Sequence, residues 1–153
     1  MNLTPHFTLA ELVRSSTADR LGLDNTPPDD VVSALRTTAE MLERIRLALH
    51  GVPVIVTSGY RSPDVNRAVG GVSSSDHQSG QAADFIAPRF GPPFAIASKL
   101  APLVSLLNIE QLILEGVKGK QWVHVSTRRP SKVINRIITI TDAGARVGIQ
   151  ALG

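Results

Sequence analysis

Two histidines and one aspartate carry the chemistry available to this sequence. His77 and Asp84 lie in Ser75-Asp76-His77-Gln78-Ser79-Gly80-Gln81-Ala82-Ala83-Asp84, and His124 follows about forty residues on, in Trp122-Val123-His124-Val125. Two imidazoles and a carboxylate suit a tetrahedral zinc ion with one position left open, and an open position separates a catalytic zinc from a structural one. If the three side chains converge, the chain reads as a hydrolase. The sequence contains no cysteine, which removes every thiolate zinc site and any disulfide framework. Taken singly each signal is weak, because a lone strand histidine is more often a hydrogen-bonded structural residue and a lone aspartate near a strand usually caps a turn. His6 and His50 lack comparable surroundings and read as structural or exposed. His50 ends a helix, where a cation complements the helix dipole.

The elements that must bring these residues together follow from local patterns. Thr8-Leu9-Ala10-Glu11 is a capping box that opens a short helix ending near Ser15. Asn25-Thr26-Pro27-Pro28 is a turn or extended stretch. A helix starts near Asp29, carries Val31, Leu35, Leu42, Ile45 and Leu49 at helical spacing, and stops at Gly51. Val54 to Ser58 reads as a buried strand, and Ser62-Pro63 as the cap and first residue of a helix ending at Gly70-Gly71. A loop from Val72 to Gly80 leads into a strand at Ala82–Ala87. Pro92-Pro93 opens another helix, with Ile96, Leu100, Leu103 and Leu107 inward. Strands then follow at Glu110–Glu115, Gln121–Ser126 and Val133–Thr141, with 116–120 turning between the first two. Helices mainly first and strands mainly last give an α+β fold, one compact domain over 1–153 with helices packed on an antiparallel sheet.

Alternation sharpens the site. In 121–126, Val123 and Val125 share the core face, while Trp122, His124 and Ser126 share the other. In 82–87, Asp84 points away from Ala83, Phe85 and Ala87. A carboxylate in so apolar a segment needs a partner, because burying an unpaired charge costs several kcal/mol, on the order of the desolvation penalty for one ion. A metal ion supplies one.

Composition bounds the rest. With 153 residues, 42% hydrophobic and 19% charged, the chain is long enough for a real core and reads as globular. Residues 127–153 carry Arg128, Arg129, Lys132, Arg136 and Arg146 against Asp142, a net +4, which leaves −1 for the remainder. Such a basic end suits an anionic polymer or envelope, but a solvated terminal strand explains it as well. No aromatic residue lies among these charges to stack on bases, and no nucleic-acid partner is expected. No apolar run approaches the ~20 residues that span a bilayer. Met1-Asn2-Leu3-Thr4-Pro5-His6 lacks the basic and apolar regions of a signal peptide.

Ser58-Gly59-Tyr60-Arg61-Ser62, the Ser-x-His-x-x-Gly-x-Ala-x-Asp pattern at 75–84 and Trp122-Val123-His124 together resemble the M15 family of zinc D-Ala-D-Ala carboxypeptidases and peptidoglycan peptidases, phage endolysin-like members included. The likeness runs from roughly Phe7 to Arg136. It implies a fold shared with the hedgehog signalling domain and one zinc ion on His77, Asp84 and His124. It implies that Arg61 holds a substrate carboxylate or carbonyl, a task that suits its planar fork, and that Ser75 lies near the substrate. The ordinary alternatives are an ion pair for Arg61 and a loop hydrogen bond for Ser75. Trp122 would form a wall of the cleft or close the core.

The match departs at one point. Many M15 peptidases carry a general-base Glu three residues before the last zinc histidine, and Gln121 stands there. The nearest replacement is Glu115, with Glu110 a weaker candidate and pairing to Lys118 or Lys120 the bland reading. A four-residue turn at 116–119 would pair Glu115 with Lys120 and His124 with Gln111, in phase; a five-residue turn would put Glu115 and His124 out of phase. Gly116 and Gly119 permit either. The expectation is therefore a monomeric zinc metallopeptidase acting on peptidoglycan peptides, with Glu115 as base. Lacking an export signal, it would wait in the cytoplasm for a membrane pore or travel in a virion, as a phage lysis protein does. The alternative is a zinc-stabilised binding or virion-assembly module that has lost catalysis.

Overall fold

The computed structural model describes residues 1–152, and its fold is α+β. Two short strands, β1 (Asn2–Thr4) and β2 (Phe7–Thr8), form a small antiparallel pair ahead of the first helices. The expected capping box is present: Thr8 Oγ accepts from the Glu11 backbone N–H while the Glu11 carboxylate accepts from that of Thr8. The helix it opens, α1 (Leu9–Val13), stops early, and a second, α2 (Ser16–Leu21), restarts on Ser15 as its cap. The long helix α3 (Asp29–Ala48) buries Val31, Leu35, Ala39, Leu42 and Ile45 along one stripe. Ser62 caps α4 (Pro63–Ala68), with Pro63 in its first turn. Helix α5 (Pro93–Leu100) ends sooner than the apolar spacing suggests; a 3-10 turn at Ala101–Leu103 takes over, so Leu103 and Leu107 pack from outside it.

A six-stranded sheet carries the rest. Its strands are β3 (Ile55–Ser58), β4 (Ala82–Ile86), β5 (Gln111–Val117), β6 (Lys120–Ser126), β7 (Ile137–Thr141) and β8 (Gly144–Val147), in the order β3-β4-β6-β5-β7-β8. Ala83, Phe85, Val123 and Val125 join Leu35, Leu42, Ile96 and Leu100 in one buried cluster, so the helices cover one face of the central strands. Asp84 and His124 lie on the other.

Two expectations about the sheet are corrected. It is mixed rather than antiparallel, because β7 runs parallel to β5. The chain leaves β6 at Ser126 and crosses to the far edge of β5 instead of folding back as a hairpin. The strand expected over Val133–Thr141 accordingly begins as a 3-10 turn at Val133–Asn135. Arg136 anchors that crossing: its Nη2 donates to the Ile109 carbonyl (2.8 Å), and its own carbonyl accepts from Leu112 N–H (2.7 Å).

The second correction concerns the β5–β6 hairpin. Its turn is the two residues Lys118-Gly119, with Val117 opposite Lys120. Both turn residues have positive φ (53° and 76°), as a type I′ turn requires, and that turn matches the twist of the flanking strands. Glu115 therefore pairs with Trp122 rather than Lys120, and His124 with Ile113 rather than Gln111. The phase survives the change: Glu115 lies on the His124 face.

Candidate metal centre

One transverse row of the sheet supports the centre. Ser58 on β3 pairs with Asp84 on β4, Asp84 with His124 on β6, and His124 with Ile113 on β5. His77 comes from a 3-10 turn, Asp76–Ser79, that leads into β4. Two features hold that turn. Gly80 ends it at φ 74°, where an added Cβ would also crowd Val31 and Leu35 at 3.0–3.1 Å. The buried Thr38 hydroxyl of α3 donates to the Gly80 carbonyl at 2.7 Å. Ser75 Oγ accepts from the His77 backbone N–H at 3.3 Å, so Ser75 caps the turn.

The three side chains converge. His77 Nε2 lies 3.3 Å and His124 Nδ1 2.9 Å from the same oxygen, Asp84 Oδ1, and the ligand atoms of all three fall within 4.8 Å of one another. The rings stand edge to face, with centroids 5.1 Å apart. Bonds of about 2.0–2.1 Å around a tetrahedral ion leave neighbouring donors roughly 3.3 Å apart, so the donor set matches such an ion in type and spacing. His77 Nδ1 faces the Gly59 carbonyl at 2.7 Å. A carbonyl only accepts, so Nδ1 donates to it and Nε2 is the nitrogen turned to the centre, the orientation that outer hydrogen bonds impose on metal-bound histidines. All three residues are buried.

The charges are mutually dependent. Burial pushes the Asp84 carboxyl up, but the facing His77 and His124 rings outweigh it and hold the group well below the usual carboxylate range. Burial alone would lower the His124 pKa, yet the hydrogen bond and charge of Asp84, with Glu115 and Asp76 adding to them, raise it. Asp84 Oδ2 faces Arg61 Nη2 at 3.5 Å. Arg61 also donates from Nε to Ser58 Oγ (3.2 Å) and from Nη1 to Asn66 Oδ1 (3.3 Å), which fixes its fork beside the centre.

Glu115 is half-buried at the rim. Burial raises its pKa first and the charge of Asp84 raises it further, while His124, Arg61 and the Trp122 indole pull it part of the way back. A carboxylate shifted toward neutrality is suited to take and return a proton. The Trp122 indole nitrogen is buried without a hydrogen-bond partner, so its influence on Glu115 falls short of a formed bond. Gln121 is exposed on the opposite side of β6, away from the centre. Glu110 caps the far end of the hairpin and pairs with Arg129 at 3.4 Å. His6 pairs with Glu43 at 2.8 Å and His50 packs on Phe90, so neither belongs to the centre.

Several supports were not singled out by the sequence. The Asn25 amide donates to the Val13 and Tyr60 carbonyls and accepts from Ser62 N–H, clamping the loop that presents Arg61. An added Cβ on Gly59 would fall 2.2 Å from the Leu12 carbonyl oxygen, so the backbones there admit only glycine. Asp76 Oδ2 accepts from Ser126 Oγ at 2.8 Å and ties the His77 turn to β6. The Ser-Gly-Tyr-Arg run was a signal for Gly59; Asn25 and Asp76 gave none, because their partners are distant in sequence.

A family model described as Peptidase M15 matches residues 5–126, and the chain belongs to that family. No curated protein matches the chain.

Proposed function

We propose that this M15 peptidase is a zinc-dependent hydrolase of peptide bonds in peptidoglycan stem peptides or cross-bridges. The convergence of His77, Asp84 and His124 beside Glu115 and Arg61 carries the reading. His77 Nε2, Asp84 and His124 Nδ1 would hold the ion. When bound, zinc supplies Lewis acidity, polarising a carbonyl and bringing the pKa of water from ~15.7 toward ~7.

Glu115 is the base in this scheme. It accepts the proton of the attacking water and delivers it to the leaving amine nitrogen. Its raised pKa suits both halves of that task. Arg61, fixed by Ser58 and Asn66, presents donors to the substrate carbonyl or carboxylate and stabilises charge developing there. Trp122 lines the cleft that leads to the centre and excludes water from one side of the bond. Ser75 contributes by fixing the His77 turn and presents the remaining face of its hydroxyl to the substrate. Gln121 has no part in proton transfer, because an amide cannot take the proton and its position is turned away.

No helix among the described residues is long and apolar enough to cross a membrane. Delivery to the wall through a membrane lesion, or within a virion, belongs to the same proposal. The deciding experiment is metal analysis of the purified protein followed by mass spectrometry of digested murein. One zinc per chain and new peptide fragments are expected, with the fragments lost and the zinc kept in Glu115→Gln. A zinc-loaded wild type that releases no fragment establishes the binding or virion-assembly module instead, the reading that Gln121 motivates.

A further inference from the structure

We propose that the cleft leading away from the metal centre is a subsite for a second carboxylate of the substrate, read by Arg14 and Lys120. The inference rests on the hydrolytic reading above and names what lies beyond the scissile bond. The cleft holds about 430 Å³ and is lined by Arg61, which faces Asp84, by Trp122, which pairs with Glu115, and by Arg14, Ser16, Thr57 and Lys120. Its lining contains three cations and no carboxylate.

The three cations are not equivalent. Arg61 is committed to Asp84, Ser58 and Asn66. Arg14 and Lys120 are exposed, and among the described residues neither has a carboxylate within ion-pair distance. Two unpaired cations on one cleft repel each other and attract an anion entering between them. A peptide with a free carboxylate away from its reacting bond places that group beside them.

Strand geometry sets the distance. Lys120, Trp122 and His124 alternate onto one face of β6. At about 3.3 Å per residue, the Lys120 and His124 backbones are roughly 13 Å apart. An extended peptide advances up to about 3.3–3.6 Å per residue, so the favoured carboxylate lies three to four residues from the reacting carbonyl. The flexible lysine stem brings that closer by about one residue. Arg14, which lines the same cleft, supplies a bidentate fork for the same group.

The chain has a single tryptophan, Trp122, and it lines this cleft, so its fluorescence reports occupancy. The zinc-loaded protein is mixed with the murein stem tetrapeptide, or with the same peptide after amidation of its side-chain carboxylates, and read before turnover. The free acid should bind at least tenfold more tightly at low salt, with the gap closing as salt rises. The double variant Arg14→Gln/Lys120→Gln should lose that preference, and Arg14→Lys/Lys120→Arg should keep most of it; zinc content and melting temperature check that each variant is folded. A wild type indifferent to amidation, or a double variant with its preference intact (recognition by Arg61 alone), overturns the subsite. Hydrolysis is scored separately. Preferential binding without fragments sinks the hydrolytic reading and leaves the subsite standing, whereas cleavage of both peptides at equal KM does the reverse.

Discussion

The sheet contains two regions that follow the same pairing rules and do opposite things. The strands β4, β6 and β5 bury a carboxylate and two imidazoles around one point; the β7–β8 ribbon leaves all four residues of β8 exposed and carries its charges on the surface. In the first region each charged group depends on its neighbours, as the opposed shifts of Asp84 and His124 record. In the region beyond β6, Arg128 meets Asp76 at 3.3 Å and Arg129 meets Glu110 at 3.4 Å, both arginines well exposed. Exposed pairs of that kind contribute about 0–1 kcal/mol. The difference is burial: a low local dielectric makes each contact in the centre consequential, and water screens those beyond β6. The part shared with the family ends with β6 itself. Strand β7, C-terminal to that boundary, pairs along β5 and covers an edge that would otherwise be open to other chains.

That contrast can be broken at its strong end first. Asp84→Ala should abolish both zinc retention and hydrolysis, since it removes one of the three proposed ligands and leaves two imidazoles facing each other; metal analysis of the purified variant checks it. Glu115→Gln should lower kcat by about 10²–10⁴ with zinc still bound. The same variant should also melt at a higher temperature than wild type at neutral pH in the presence of chelator. The folded-state pKa of Glu115 lies above its ordinary value, so its ionised form costs stability as pH rises and the cost vanishes once the group is protonated in both states. The gap between variant and wild type should therefore widen as pH rises above the ordinary glutamate range and level off once Glu115 is ionised in both states, and a constant gap would count against a buried carboxylate.

In the proposed site, zinc would displace the proton that Asp84 favours on His124. Calorimetric titration in buffers of different ionisation enthalpy should show proton release on zinc binding, with affinity falling as pH drops through the raised His124 pKa. The ribbon should respond in another currency. Thr139 is buried; its hydroxyl donates to the Gly148 carbonyl at 2.8 Å and accepts from Gln150 N–H at 2.9 Å. Thr139→Val leaves both partners unmet and should cost about 1–3 kcal/mol in denaturant melts while zinc content stays at one per chain. Smallest of all, removing Arg128, Arg129 and Lys132 together should change stability by less than about 1 kcal/mol. Reduced lysis of intact cells with unchanged cleavage of soluble fragments would assign those charges to envelope contact, and equal loss on both substrates would defeat that assignment.

The centre was legible where its information is local. His77 and Asp84 share ten residues, and alternation alone put His124 opposite the core valines. Strand pairing then had little freedom, because Val123 and Val125 had to meet Ala83 and Phe85 in the core. The hairpin length was not legible: Gly116 and Gly119 allow several turns, and the positive φ at Lys118 is not a property its side chain advertises. The parallel β7 escaped for a different reason. Val133–Thr141 reads as a strand, but where it starts and which strand it joins depend on where a ten-residue crossing from Ser126 lands, and Arg136 fixes that landing through carbonyls distant in sequence. Asn25 lay hidden inside a motif that reads as a turn, though its amide serves backbone groups 12, 35 and 37 residues away.

The brevity of the Lys118-Gly119 connection makes chemistry a matter of parity. A single codon inserted there, with no functional residue altered, would shift the strand by one position and swap its inner and outer sets. Glu115 would then sit among aliphatic side chains and Leu114 beside the ion-binding trio, which would survive intact. Under the proposed mechanism an odd slip therefore removes the base from the centre's face, whereas an even slip keeps the face but carries Glu115 about 6.6 Å along the strand.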